Sequence, residues 1–283
     1  MSTPTDVPRL NYERRGDGPP LVLLHGIGHR WQAWSPVLGM LAAEHDVVAV
    51  DLPGFGKSPP LTGACGVAAI AAAVAELAAQ LGLGHPHVAG NSLGGGVALE
   101  LAAGGHASSA TAFSPVGFWT PSEFWRGFTV LTILRGTTFL PVPLLGAMVR
   151  PAAVRKLAFG MVVHRPANLT PEQAMGDVLA LRAGTAFPAV ARAVRGYLFE
   201  GAPKVPTTVA WGAHDRILGH RQALRARRRL PGARHVDLPG CGHVPMSDDP
   251  GLVASTILAT TRNASALSPH LRPCDGGRRR LRP

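Results

Sequence analysis

The sequence predicts an α/β protein with a mostly parallel, doubly wound sheet. Two observations lead to this fold class: short apolar runs alternate with helix-like segments through the first third of the chain, and the first of these runs end in glycine-containing loops. Strands that are buried on both faces have this composition, and helices between them form right-handed parallel crossovers. With 283 residues, of which 46% are hydrophobic, the chain is long enough to bury a substantial core.

The elements follow one another in a regular order. Residues 9–20 predict an exposed first strand and a turn, and residues 251–262 predict a closing helix. An amphipathic helix packed on the sheet, rather than a membrane segment, is predicted by apolar residues at helical spacing: Val67, Ile70, Val74, Leu77 and Leu81. Six apolar runs predict the buried strands: PLVLLHG (20–26), DVVAVDLPG (46–54), HVAGNS (87–92), ATAFSP (110–115), PTTVAWG (206–212) and RHVDLPG (234–240).

The character of the chain changes after Pro115. Residues 116–203 contain aromatics, prolines and apolar helical stretches but no clear strand, and they carry nine basic and four acidic residues. The strand pattern then resumes, so we expect a core formed by residues 1–115 and 204–262, with a helical cap inserted at 116–203. Residues 263–283 show no periodicity and are predicted to be a disordered basic tail.

The net charge of +11 at pH 7 is not distributed as in a nucleic-acid-binding protein. One arginine cluster spans residues 221–229, another stands at the C-terminus, and no zinc-finger, RNA-binding or basic-zipper pattern accompanies them. A solvated helix face and a tail explain both clusters, so no nucleic-acid partner is expected. A weak attraction to anionic surfaces or substrates stays open.

The cysteines and the N-terminus argue against further classes of protein. Cys65, Cys241 and Cys274 are too few and too irregular for a disulfide framework or a zinc site, so no metal is predicted. The first residues contain no apolar core of a signal peptide. We therefore expect a cytoplasmic protein without membrane insertion, either a monomer or a homodimer.

A serine stands among glycines in VAGNSLGGG (88–96). Residues Gly90, Asn91, Ser92, Leu93 and Gly94 fit the pattern G-x-S-x-G between a buried strand and a helix. A direct turn from strand to helix forces the serine into an unfavourable backbone conformation, and small flanking residues let neighbouring backbone approach. The predicted result is a hydroxyl at a helix N-terminus, where the dipole favours developing negative charge.

A nucleophilic serine needs a base and an orienting acid, which should follow it in the order Ser, Asp, His. Asp215 and His243 each follow one of the last two predicted strands. Three other carboxylates are less suitable, because Asp237 lies inside a predicted strand and Asp248 and Asp249 begin the closing helix. Asp215 and His243 are therefore the predicted partners of Ser92.

Four segments together resemble the α/β-hydrolase superfamily, in its serine-nucleophile branch with a helical cap. They are LHGIG (24–28), DLPGFGKS (51–58), GNSLGG (90–95) and the pair GAHD (212–215) and GCGHVP (240–245). The resemblance spans residues 10–262 and implies a sheet of the α/β-hydrolase type. It also implies a catalytic triad that needs no cofactor, in which Ser92 is the nucleophile, His243 the base and Asp215 the group that orients His243.

The resemblance implies the remaining site residues as well. The backbone N–H groups of Ile27 and Leu93 would form the oxyanion hole. His25 and Gly26 would support that loop, with His25 in a structural role, while Gly90, Asn91 and Gly94 would support the serine. Residues that could line a substrate pocket are apolar: Trp119, Trp125, Phe128, Phe139, Met148, Met161 and Val244.

The leading hypothesis is a serine hydrolase that cleaves a carboxylic ester with a small to medium, mostly apolar acyl group. Serine at position 92 excludes the branches that resemble dehalogenases and epoxide hydrolases, which carry aspartate there. Asn91, directly before the serine, is a feature that resembles the C–C bond hydrolases that act on vinylogous diketones, so C–C bond hydrolysis is one alternative. Haloperoxidase-like or perhydrolase members share the same triad and are another. Outside enzymes, a small-molecule receptor on the same fold stays open.

Overall fold

The computed structural model describes residues 9–267, and these form one seven-stranded sheet flanked by helices. The strand order is β1-β3-β2-β4-β5-β6-β7, with β1 antiparallel to β3 and every other pair parallel. The predicted fold class is thereby confirmed. The strands are β1 (Tyr12–Arg15), β2 (Pro20–Leu24), β3 (Asp46–Val50), β4 (His87–Asn91), β5 (Ser109–Phe113), β6 (Thr207–Gly212) and β7 (Arg234–Leu238).

Eleven α-helices connect the strands or follow them within the described residues. Five of them lie between β5 and β6, in the segment that the sequence predicts as a cap. We call residues 116–203 the cap segment; their status as a separate domain stays a prediction. The helices are α1 (Ser35–Ala42), α2 (Val67–Gln80), α3 (Leu93–Ala103), α4 (Pro121–Thr137), α5 (Val142–Val149), α6 (Ala152–Phe159), α7 (Pro171–Ala183), α8 (Phe187–Ala193), α9 (Arg221–Arg229), α10 (Pro245–Asp248) and α11 (Pro250–Leu267).

Alternate residues of the inner strands pack into two apolar layers, one on each face of the sheet. In β2, Val22 and Leu24 join the layer that contains α2 and α3, while Leu21 and Leu23 join the layer that contains α1 and α11. This alternation follows from the two-residue period of a strand, and it explains why the inner strands are apolar on both sides. The predicted stripe on α2 is buried at Val67, Ile70, Val74 and Leu77, as the amphipathic pattern requires.

The parallel register brings several loops to one edge of the sheet. Leu24 is paired with Gly90, and Gly90 with Ala112, so the carboxyl ends of β2, β4 and β5 are level. In open α/β sheets, ligands bind at this edge. The loops that follow β2, β4, β6 and β7 therefore meet where the candidate site residues are expected.

The end of the core differs from the prediction. Helix α11 continues to Leu267, so the expectation that residues 263–267 are disordered is wrong. Alanines favour helix, neither glycine nor proline interrupts this stretch, and Ala264 is buried, which explains the extension. The rest of the predicted tail, with Cys274, lies outside the described residues.

Among residues 9–267 no single helix has both the length and the apolar composition to cross a bilayer. In this part of the chain only α4 and α5 taken together meet these criteria, and they are bent against each other by 114°.

Candidate active site

Ser92 lies in a strained turn between β4 and α3. Its backbone angles are φ 56° and ψ −113°, in a region that residues with a side chain rarely adopt. A Cβ atom on Gly90 would lie 2.0 Å from the Gly94 carbonyl oxygen, and one on Gly94 would lie 2.2 Å from the Leu24 carbonyl oxygen. Both glycines are therefore required by close backbone packing, as the G-x-S-x-G pattern predicts.

Asp215 and His243 form a buried pair. His243 Nδ1 donates to Asp215 Oδ2 at 2.8 Å. The other carboxylate oxygen, Oδ1, accepts the backbone N–H groups of Ile217 at 2.9 Å and Leu218 at 2.8 Å. The carboxylate is thus held in place on both sides, and it orients the imidazole so that Nε2 is free to act as a base.

Two further polar side chains hold the loop of His243. Asn91 Nδ2 donates to the His243 carbonyl oxygen at 2.9 Å and to the Phe113 carbonyl oxygen at 3.2 Å. Asp248 Oδ2 accepts the backbone N–H of Gly242 at 2.7 Å. The same carboxylate accepts two N–H groups of the cap segment, from His164 at 3.0 Å and Arg165 at 2.6 Å. Asp248 therefore joins the loop of the histidine to the cap segment.

His25 stabilises the loop after β2 from a fully buried position. Its Nδ1 donates to the Gly26 carbonyl oxygen at 2.7 Å, and its Nε2 accepts the Leu52 backbone N–H at 2.9 Å. Burial lowers the pKa of His25 to about 4, so the ring is neutral at pH 7. These contacts leave neither ring nitrogen free, which agrees with the structural role expected for this residue.

The two expected oxyanion donors lie beside Ser92. Leu93 is the first residue of α3, so its N–H has no acceptor within the helix. The Ile27 N–H makes no backbone hydrogen bond within the described residues. Gly26 packs against the serine, since a Cβ atom at that position would lie 3.3 Å from Ser92 Cβ. Both N–H groups are therefore free for a ligand atom bound near Ser92.

Two cavities adjoin at the serine, and we call them together the Ser92 cavity, with a larger and a smaller branch. The larger branch measures about 120 Å³ and reaches His243 and Val244; the smaller measures about 50 Å³. Ser92 and Ile27 line both branches. Ser92 and His243 share the larger branch, and within the described residues no hydrogen bond joins their side chains. The cap segment supplies much of the apolar wall of that branch: Leu131, Leu134, Ala158, Phe159, Val162, Val163, Val178 and Leu181.

The predicted pocket residues are only partly at this cavity. Trp119 and Phe128 line the smaller branch and Val244 the larger one. Trp125 and Phe139 instead line a separate groove, and Met148 lines a small cavity beside α5 and α6. Met161 lines neither branch. The prediction that these four residues line the substrate pocket is therefore corrected. The inward side of α4 carries Phe124, Phe128 and Leu131, at intervals of four and three residues. Trp125 is one position out of that phase.

Two polar residues of the wall were missed by sequence reasoning. Asp177, on α7, lies with its carboxylate 3.9 Å from His29 Nδ1, and both residues line the larger branch. Burial raises the pKa of Asp177. His29 could have been found, because it follows the His25-Gly26 pair by only a few residues, whereas nothing in the local sequence of α7 distinguishes Asp177. Within residues 9–267 no cluster of three or more His, Cys, Asp or Glu side chains is arranged to hold a metal ion.

This geometry, a serine at a strand-to-helix elbow beside a buried His–Asp pair on a mostly parallel sheet, is that of the α/β hydrolases. The model of the alpha/beta hydrolase family matches residues 21–256, and the chain belongs to that family. Membership of this family shows that the chain has the hydrolase fold, and it supports an enzymatic role.

Individual relatives extend over most of the chain. An uncharacterized protein of Mycobacterium bovis is 28% identical over 268 residues, which covers 86% of this chain and 75% of that protein. A thermophilic esterase from Thermogutta terrifontis has a similar structure, with a TM-score of 0.71, 22% identity and coverage of 91% of this chain and 94% of that one. A bacterial membrane phospholipase A gives a TM-score of 0.72 at 27% identity, with coverage of 93% and 86%.

Proposed function

We propose that this protein is a serine hydrolase that cleaves carboxylic esters with small to medium apolar acyl groups. One observation carries the proposal: the buried His243–Asp215 pair and the strained Ser92 line or border one cavity, with two free backbone N–H groups beside the serine. Each member of this set has a role in acyl transfer. The wall of the cavity is mostly apolar, which suits an apolar substrate.

The proposed reaction has two halves. His243 Nε2 takes the proton of the Ser92 hydroxyl while Oγ attacks the ester carbonyl, and the N–H groups of Ile27 and Leu93 stabilise the oxyanion. The C–O bond of the ester then breaks, and His243 returns the proton to the leaving alcohol. Water attacks the acyl-enzyme by the same proton transfers and releases the carboxylic acid. Asp215 keeps the imidazole oriented and stabilises its charged form.

The two branches give the substrate a direction. The leaving alcohol must receive its proton from His243, so it should lie in the larger branch, which His243 lines. The smaller branch lacks His243 and is lined by Trp119, Phe124 and Phe128, so it should hold the acyl group. A branch of about 50 Å³ favours short acyl chains. The phospholipase A among the structural relatives also supports an ester substrate.

The test is a panel of p-nitrophenyl esters of increasing acyl length, with a fluorophosphonate probe for the nucleophile. We expect turnover that is highest for short acyl chains and is abolished in Ser92→Ala, together with labelling that is lost in the same variant. Ser255→Ala, on the surface of α11, is the matched control and should keep both signals. A protein that neither turns over any ester nor reacts with the probe would contradict the proposal and favour a receptor.

No structural observation favours the C–C hydrolase alternative. Asn91 suggested it, but both bonds of its amide nitrogen go to backbone carbonyls, and these bonds account for the residue. Bleaching of a yellow ring-fission dienol, with little ester turnover, would nevertheless replace ester cleavage with C–C cleavage.

A further inference from the structure

The turn between α4 and α5 and the first residues of α5 present a continuous apolar surface. Six consecutive residues, Phe139-Leu140-Pro141-Val142-Pro143-Leu144, are all exposed, and we call them the tip. Phe139 is 51% exposed, Val142 48% and Leu144 46%. Contiguous exposed apolar surface is uncommon on a soluble domain and marks sites of interaction.

Hydrogen bonds of its backbone hold the first part of the tip in a fixed shape. Arg182 donates to the carbonyl oxygens of Thr138 at 3.4 Å and Leu140 at 3.2 Å. The N–H groups of Phe139 and Leu140 donate to the preceding turn of α4, at 3.3 Å each. Pro141 and Pro143 have no N–H at all. Within the described residues the N–H groups of Val142 and Leu144, at the start of α5, have no protein acceptor, so the tip suits the lipid interface, where water and phosphate oxygens can accept them, rather than the acyl interior.

A basic groove lies directly beside the tip and shares Phe139 with it. Its volume is about 430 Å³, its floor is aromatic, and three arginines line it: Arg135, Arg192 and Arg195. The Arg195 guanidinium lies 4.8 Å from the centre of the Trp125 ring. No acidic residue lines the groove, and within residues 9–267 neither Arg192 nor Arg195 belongs to an ion pair.

We propose that the tip and the basic groove together dock the protein on the surface of an anionic phospholipid bilayer. Apolar side chains beside arginines form the combination that binds a lipid interface, since the former enter the acyl boundary and the latter attract the phosphates. Nucleic acid would match the arginines but leave the tip exposed to water. The groove has both the charge and the aromatic floor for a lipid headgroup. Docking is peripheral and needs no membrane-spanning helix.

The docking surface is also placed to deliver a substrate. A small apolar cavity of about 60 Å³ lies behind the tip and is lined by Leu140 and Met148. It shares Phe159 and Val178 with the wall of the larger branch of the Ser92 cavity. Mostly apolar side chains therefore separate the two cavities, and an apolar ester that enters from the bilayer would have to displace them to reach Ser92. This step rests on the proposed function, whereas the docking itself does not.

The experiment is cosedimentation with vesicles of phosphatidylcholine, with and without phosphatidylglycerol, using full-length protein with the Ser92→Ala substitution so that catalysis plays no part. We expect binding to the anionic vesicles that high salt weakens, and little binding to phosphatidylcholine alone. Phe139→Ser with Leu144→Ser should reduce the partition coefficient at least about tenfold. Arg192→Gln and Arg195→Gln should each reduce it about fivefold.

The matched control is Leu224→Ser on α9, since Leu224 is 45% exposed and lies outside the cap segment. It should bind like the parent protein, and circular dichroism should show that every variant is folded. Absence of vesicle binding, or binding that the tip and arginine variants leave unchanged, would overturn the proposal. So would self-association through the tip, or DNA binding that survives the tip variants, in place of vesicle binding. None of these outcomes bears on ester turnover in solution, which is tested separately.

Discussion

Replacing Asp248 with asparagine should destabilise the fold and displace the loop of His243. The carboxylate accepts three backbone N–H groups, from Gly242 at 2.7 Å, His164 at 3.0 Å and Arg165 at 2.6 Å. An amide of the same shape has one acceptor oxygen, so at least one N–H loses its partner and the rest bond to a neutral group. One lost charge-assisted bond and two weakened bonds together correspond to about 3 kcal/mol.

Urea unfolding, followed by the fluorescence of buried tryptophans, measures the free energy of unfolding directly. The same variant should lower kcat for a p-nitrophenyl ester more than it changes KM, because the base moves while the cavity remains. Asp237→Asn is the control, since Asp237 makes one exposed ion pair with Arg227 and its loss should cost less than about 1 kcal/mol. Equal stability of Asp248→Asn and the parent protein would refute the reasoning.

Four further predictions address single features. Asp215→Asn keeps the shape of the side chain but presents an N–H to its partners, so kcat should fall about ten-thousandfold, and near-normal turnover would contradict the proposed triad. Gly94→Ala should lower the Tm clearly because its Cβ would lie 2.2 Å from the Leu24 carbonyl oxygen, whereas Gly146→Ala, in open space on α5, should not. Burial lowers the pKa of His87 to about 4, below its value in the unfolded chain. The stability that the neutral ring contributes is therefore fully present above about pH 6.5, and the free energy of unfolding falls by about 1.4 kcal/mol per pH unit towards pH 4. His87→Gln should flatten that slope when unfolding is measured as a function of pH. Trp119→Ala should raise kcat/KM for longer acyl esters relative to shorter ones by about tenfold, and an unchanged ratio would show that the smaller branch does not hold the acyl group.

Local sequence was sufficient for the sheet and for the elbow. Each inner strand is a short apolar run, and each requirement of the turn at Ser92 lies within four residues of it, at Gly90 and Gly94. Periodicity also identified α2, because one face of that helix is buried. The sequence did not predict that α11 continues to Leu267, since the end of a helix depends on a few contacts such as the burial of Ala264.

The walls of the site were beyond local sequence because they depend on contacts between distant segments. Two of the three N–H partners of Asp248, His164 and Arg165, lie 84 and 83 residues away, so the residue resembled an ordinary start of a helix. In α4, residue type pointed to Trp125 as readily as to Phe128, yet only Phe128 faces the Ser92 cavity. Helices of the cap segment have apolar residues on more than one side, so periodicity alone could not select the inward face.

The strained backbone at Ser92 also bears on how this chain can evolve. Its φ of 56° is tolerated without strain only by glycine, so a change from serine to glycine there would relieve about 1 kcal/mol while removing the hydroxyl. Selection for thermal stability alone would thus favour glycine at this position and remove the nucleophile. A serine kept here in related chains would be a record of selection for turnover, whereas glycine would mark a lineage that uses the same scaffold for binding.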